Sequence, residues 1–362
     1  MIDTFLRTFL FLSSTFIILH AEQLSDSFRL DGYGNVNIVK TENKKDKLNF
    51  SGGLQGRYEL TEKLSVTGQI HLKEGKNSQN RDSTSLGDYD SELKWLYFDY
   101  YLKDDITLRA GAFQFPVFKS SETGDIGYTY TWTENPLGYY GVFGCDDFEG
   151  IELLKNFSYK DFDFLAQLSL GKSNNKLNDG RGDSREGDVD NLVGLTLKTT
   201  HENFIVNIGY LQAKSTIDTS NQFIKIDPNV DFNMFALETE IYIDDYTLKS
   251  GLIKTNLTNV FPEQIRYYTS IEYSFNDFTP YVLYAKETAS FKEITRKLLN
   301  DKRTQIEKQH KEKYSVGLRY DYSENIAFKV SYSHEKDTVK YHNFNDDRNT
   351  NNTFIGSINV VF

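Results

Sequence analysis

Apolar residues fall at every second position through most of this chain, in short runs closed by clusters of Asp, Asn, Glu or Gly. A period of two puts successive side chains on opposite faces of a strand, so each run predicts a strand with one apolar and one polar face. Leu64, Val66, Ile70 and Leu72 form one such run, and Leu96, Phe98, Tyr100 and Leu102 another. Phe204, Val206, Ile208 and Tyr210 form a third, and Tyr314, Val316, Leu318 and Tyr320 a fourth. Sixteen runs can be placed in all, the thirteenth with Tyr281, Leu283 and Ala285 outward and the last with Phe354, Ile358, Val360 and Phe362. The count is even.

The connections sort by length. Short ones fall near Thr61–Lys63, Lys103–Asp105, Phe157–Lys160, His201–Glu202, Asp244–Asp245, Asn276–Asp277 and Ser323–Glu324. Long ones fall near 40–47, 74–90, 116–148, 172–188, 214–231, 257–264, 287–310 and 336–350. Short and long alternate, which describes one antiparallel meander with both ends on the short-turn side. A soluble sandwich has no reason to sort its loops by side, whereas a transmembrane barrel does. The predicted fold is therefore all-β: a 16-stranded antiparallel transmembrane β-barrel occupying 22–362, with its third long loop folded inward.

That loop, 116–148, is long for a compact domain, and such loops are functional or disordered. Its aromatic residues, Phe118, Tyr128, Tyr130, Trp132, Tyr139, Tyr140, Phe143 and Phe148, argue against disorder because they need a surface to bury against. A place inside the lumen, narrowing a channel, answers that need. The loop carries Glu122, Asp125, Glu134, Asp146 and Asp147 against Lys119 alone. Arg57, Arg109, Arg266, Arg319 and Lys329 lie on the polar faces of strands, so acids on the loop and bases on the wall would set up a field across a constriction. The polar faces elsewhere, such as Ser65, Thr67, Gln69 and His71, suit a hydrated interior.

Composition fits an exported barrel: 15% aromatic residues, 5 Pro and 2 Met, with a mean hydropathy of −0.54. Residues 1–21, with Arg7, an apolar run and Ala21 at the cut, read as a secretory signal peptide. No later segment reaches the length of a spanning helix. A net charge of −11 makes nucleic acid an improbable partner. Cys145 is the only cysteine and excludes an intramolecular disulfide framework; it is read as an incidental loop thiol.

Leu108–Pro116, Ser121–Gly127, Asn135–Pro136 and Tyr139–Tyr140, with Trp95–Tyr100 upstream, resemble the third-loop region of the phosphate-selective porin O/P-like family. The resemblance implies a homotrimeric porin of a Gram-negative outer membrane. Its partners would be small hydrophilic solutes or ions and lipopolysaccharide-bearing lipid, with no cofactor. Phe354, Ile358, Val360 and Phe362 look like the terminal signal read by the barrel assembly machinery. Phosphate does not carry over, because anion-selective members place several Lys or Arg on this loop and here there is one.

Three further segments carry charge or metal-ligating residues. Phe291–Lys313 has eight basic residues against four acids and reads as an external loop, with a short helix as one form of it and lipopolysaccharide phosphates as one ligand. Asp179–Asp188 lacks calcium-loop spacing, and its Arg181-Gly182-Asp183 is a chance match. His334, His342 and Asp346 are a weak metal motif. No nucleophile–base arrangement points to an enzyme. The expected function is passive diffusion of small hydrophilic solutes, with both termini periplasmic. The alternative is a barrel acting as a surface adhesin or receptor.

Overall fold

A computed structural model describes residues 22–74, 89–114, 116–136, 147–178, 184–217, 230–257, 262–291, 306–341 and 345–362. The predicted signal peptide, Cys145, Asp146 and His342 lie outside the described residues. The strands are β1 (Glu22–Ser25), β2 (Phe28–Thr41), β3 (Lys47–Thr61), β4 (Leu64–Glu74), β5 (Tyr89–Lys103), β6 (Ile106–Gln114), β7 (Asp147–Tyr159), β8 (Phe162–Asn178) and β9 (Ser184–His201). They continue as β10 (Phe204–Ile217), β11 (Val230–Ile243), β12 (Tyr246–Leu257), β13 (Glu263–Tyr273), β14 (Phe278–Ser290), β15 (Ile306–Ser323), β16 (Ile326–Tyr341) and β17 (Asp347–Val361).

Each strand from β2 onward pairs antiparallel with the next, and β17 returns to pair with β2 from Thr353↔Thr41 to Val361↔Tyr33. The ring of sixteen is closed. β1 is an addition that the sequence pattern did not reveal: four residues without alternation, pairing with the start of β2 through Gln23↔Arg29. Closure matters because hydrocarbon offers no partner to an unpaired N–H or C=O.

One end of the barrel is built of tight turns. Glu62–Lys63, Asp104–Asp105, Lys160–Asp161, Glu202–Asn203, Asp244–Asp245 and Glu324–Asn325 are two-residue connections. Lys160 and Asp244 take positive φ, 53° and 49°, as primed hairpin turns demand. The long connections are shorter than the alternation suggested, because strands run on past the apolar band. β15 begins at Ile306, so the last part of the expected basic loop 291–313 is strand rather than helix.

The alternation places apolar side chains outside and polar ones inside. Leu54, Ile70, Leu195, Val316 and Tyr332 are exposed outward, while Ser65, Thr67, Ser169, Ser270 and Asn359 are buried inward. β14 corrects the expectation: Tyr281, Leu283 and Ala285 are buried inside, and Val282 is exposed outside. Both faces of this strand are apolar, so the period of two was present and its phase was not readable; a one-residue slip exchanges the faces. Aromatic rings mark both edges of the band. Tyr284 and Tyr314 meet at 5.0 Å near the long-loop end, and Phe278 and Tyr320 stack at 4.8 Å near the turns. Tyr314 to Tyr322 on β15 therefore spans roughly 20 Å along the membrane normal, near the height of a lipid-facing band.

This exterior generates a prediction. Leu195→Arg, in the outward row of β9, costs about 2–4 kcal/mol of stability in lipid vesicles, the depth-dependent value for a midplane arginine. Denaturant unfolding from vesicles measures it, and a loss under about 1 kcal/mol would place this face out of hydrocarbon.

Candidate functional site: the loop held inside the barrel

The segment after β6 turns into the lumen and crosses it. Its first residues lie against β9–β11. Thr196 Oγ1 donates to Pro116 O at 2.9 Å, and Asn207 Nδ2 donates to Val117 O at 3.0 Å. Val117 is fully buried. The approach is close enough that a Cβ on Gly209 would meet Val117 O at 2.4 Å, so only glycine fits that wall position. Lys119 N donates to Glu238 at 2.6 Å, and its ammonium pairs with Glu240.

The chain then doubles back across β6, β5 and β4. Arg109 sits beneath it, giving Nε to Asp99 at 2.9 Å and Nη1 to Glu122 at 2.9 Å, with Glu152 at 3.7 Å. Its guanidinium stacks over Tyr97 at 4.1 Å. Asp125 meets Lys94 at 3.2 Å and lies 3.9 Å from His71. Lys94 points inward only because β5 bulges there, Gln69 pairing with Trp95 and Ile70 with Leu93.

Next comes the seam where β17 closes on β2. Asn35 accepts from Gly127 N at 3.0 Å and donates to Asp125 O at 2.9 Å, while Asn359 braces Asn35 at 2.9 Å. A Cβ on Gly127 would lie 2.2 Å from Asn359, so the single 3-10 turn, Gly127–Thr129, docks here through a residue without a side chain.

The last described part of the loop is held by its backbone. Lys329 on β16, 2% exposed, directs its ammonium at the carbonyls of Gly127 (2.5 Å), Tyr130 and Trp132 (3.0 Å). Three N–H bonds and three acceptors match. Arg319 adds Tyr128 O at 2.6 Å and Tyr130 O at 3.1 Å while gripping Asp321 at 2.7 Å. Tyr128 reaches the turn end, its hydroxyl donating to Glu324 O at 2.8 Å. Burial, with Asp125 and Glu134 nearby, pushes the Tyr130 phenol up to about 12, so it stays protonated. Thr131 donates to Glu272 at 2.6 Å, and Trp132 Nε1 donates to Ser270 at 3.0 Å with its ring edge-on to Tyr268. Glu134 closes the series on Lys313.

The sequence-predicted residues divide by partner. Arg109 takes a loop acid, whereas Arg319 and Lys329 take loop carbonyls. Arg57 pairs with Glu59 at 2.9 Å and Arg266 with Glu287 at 3.4 Å, both on the wall. Glu122, Asp125 and Glu134 are in direct ion pairs with the wall, so the expected separation of loop acids from wall bases is absent at these three. Asp147 opens β7 rather than lying in the loop, as does Phe148, which is buried at 1%. His334 donates to or accepts from Asn352 at 2.8 Å. Among the described residues no group of three His, Cys, Asp or Glu could hold a metal ion. The wall residues Lys94, Asp99, Glu152, Glu240, Lys249 and Lys313 were not singled out from sequence; an inward phase marks all but Lys94, which the β5 bulge turns inward.

Neither a protein-family model nor a curated protein matches the sequence. Solved structures do. The chain is similar to OmpF of Salmonella typhi, solved with daunomycin, at 15% identity and TM-score 0.61 over 93% of this chain and 98% of that one. Outer-membrane-expressed OmpT of Vibrio cholerae gives 13%, TM-score 0.60, 95% and 100%. The outer membrane channel DcaP of Acinetobacter baumannii gives 10%, TM-score 0.58, 95% and 100%. The chain shares the fold of outer-membrane barrels, which bears out the coarser half of the resemblance; the phosphate-selective group is not distinguished.

Lys329→Met takes the ammonium donor from the Gly127 and Trp132 carbonyls, at about 1–3 kcal/mol each, while Tyr130 O keeps Arg319. Proteolysis within 116–136 then speeds up at least about tenfold while the barrel keeps its heat-modifiable migration in gels. Unchanged cleavage would show that Lys329 does not hold the loop.

Proposed function

We propose that this protein is a porin of the bacterial outer membrane, a water-filled path for passive diffusion of small hydrophilic solutes and ions, without enzymatic chemistry. The observation that carries this reading is a closed ring of sixteen strands, lined inside by polar side chains and one buried apolar cluster, with its third loop fastened within the lumen. Outer-membrane channels of the same fold support it. In that setting the two-residue turns and both termini face the periplasm, and the long loops face outward. The final outward phase, Phe354, Ile358, Val360 and Phe362, serves the assembly machinery. Phe362 locks into the seam by exchanging backbone hydrogen bonds with Gly32 at 2.8 and 3.0 Å. The barrel works as a homotrimer.

Charge preference follows from which member of each ion pair meets water. Glu122 is 60% exposed over an Arg109 at 11%, and Asp125 is 40% exposed over a Lys94 at 7%. Glu134 is 44% exposed over a Lys313 at 8%. The bases sit beneath and the acids on top, so the loop offers negative charge to the lumen and favours cations modestly. The loop's one lysine, Lys119, is committed to Glu240 and offers little to phosphate.

In planar bilayers the purified protein opens in steps of three, and a salt gradient gives a reversal potential of cation-selective sign. Glu122→Gln, Asp125→Asn and Glu134→Gln together lower the cation-to-anion permeability ratio by about twofold. Absence of openings sinks the channel reading, and an unmoved ratio sinks the assignment of these acids.

A further inference from the structure

Among the described histidines, one faces the loop. His201, His310 and His334 share the phases of the exposed Leu195, Tyr314 and Tyr332 and point outward. His71 on β4 shares the inward phase of Ser65, Thr67 and Gln69 and is 4% exposed. Its Nδ1 lies 3.4 Å from Glu92, its cross-strand partner on β5, and 3.9 Å from Asp125 on the loop. Neither ring nitrogen has a hydrogen-bond partner among the described residues. The ring is buried between wall and loop and is fastened to neither.

Charged and titratable groups face it from each side. β5 brings Glu92 and Lys94, β4 itself brings Lys73, and the loop brings Asp125. β2 brings Tyr33, its ring 6.1 Å from the imidazole, with Tyr130 within electrostatic reach of Tyr33 and Asp125. On β3 the opposing residue is Gly53 and adds no charge. Lys73 meets Glu92 at 2.7 Å and Lys94 meets Asp125 at 3.2 Å, so two ammoniums balance two carboxylates while the imidazole is neutral. A proton on His71 leaves the group one positive charge in excess. Both carboxylates approach the same nitrogen. A neutral ring can offer a proton there to one of them, whereas an imidazolium attracts both by its charge. Glu92 belongs to the wall and Asp125 to the loop, so the added charge ties one to the other. It also offsets the negative charge that Asp125 shows to the lumen.

We propose that His71 sets the charge preference of the loop according to pH. Protonated, it grips Asp125 against Glu92 and withdraws negative charge from the lumen, so the loop tightens and the preference for cations weakens as the medium acidifies. Histidine is the side chain suited to this, because its charge changes between about pH 5 and 8. His71 acts through Asp125 and is a positioning residue, with no contact to the passing solute. The change in selectivity rests on the barrel being a channel; the tightening of the loop does not.

The test compares the full-length folded barrel with His71→Gln at about pH 8 and about pH 5.5, reading amide hydrogen exchange over 116–136 and the reversal potential. Comparing two proteins at one pH cancels the intrinsic pH dependence of exchange. On acidification the exchange rate of the variant relative to the unaltered protein rises at least about threefold. Over the same step the cation-to-anion permeability ratio of the unaltered protein falls about 1.3-fold, the share of one loop acid among three, and that of His71→Gln does not follow. His71→Lys behaves at both pH values as the unaltered protein does at the lower one. Asp125→Asn, which keeps the histidine, loses both responses and decides the matter if His71→Gln fails to fold. Heat-modifiable migration confirms folding of each variant. A relative exchange rate that is the same at both pH values overturns the proposal, and that arm needs no conduction. A permeability response shared equally by His71→Gln also overturns it. Absence of openings removes the channel reading alone and leaves exchange to decide the role of His71.

Discussion

A strand in hydrocarbon has no water to satisfy its backbone, and the pairing of β17 with β2 is where this chain meets that constraint. Once the last strand finds the first, no edge remains and the alternation of side chains becomes a division between inside and outside. The seam also does something local. Asn35 and Asn359 stand on the two strands being joined, and between them they take the loop backbone at Asp125 and Gly127. Docking of the 3-10 turn therefore requires a closed ring.

The interior combines apolar packing with buried hydrogen bonds and ion pairs. Glu152 is buried at 1% beside Arg109 and Ser169, and Lys329 at 2% among carbonyls. Such groups are tolerated because each has opposite charge or aligned dipoles around it. Apolar packing is present as well: Val117, Phe118 and Trp132 of the loop join inward wall residues such as Phe113, Leu211, Met234 and Ile253 in one buried cluster. Among the described loop aromatics, Phe118, Tyr130 and Trp132 did find burial, Trp132 through both its ring and its N–H.

Most of the barrel was legible in the sequence because a two-residue period survives wherever one face meets lipid and the other water. It became illegible where that contrast fails. In β14 the inward Tyr281, Leu283 and Ala285 are as apolar as the outward Val282 and Tyr284, so phase was lost. In β5 the bulge at Lys94 breaks parity and sends a lysine inward that alternation gives no reason to notice. At the site, Arg109, Arg319 and Lys329 could be named as inward bases, but their partners could not. Whether a base takes a carboxylate or a carbonyl depends on the path of a segment that has no period. The extension of β15 back to Ile306 was hidden by a basic composition that hydrophobic patterning does not score.

Arg319 and Lys329 grip the loop through backbone oxygens, which every residue possesses. Exposed side chains of the loop such as Glu122, Thr129 and Glu134 can be exchanged without touching those bonds, provided Gly127 keeps its turn. Position is thereby separated from display: the wall decides where the segment lies, and the sequence of the segment decides what it shows to the lumen. A protein arranged in this way can be retuned by substitutions in a handful of neighbouring codons while its scaffold stays untouched.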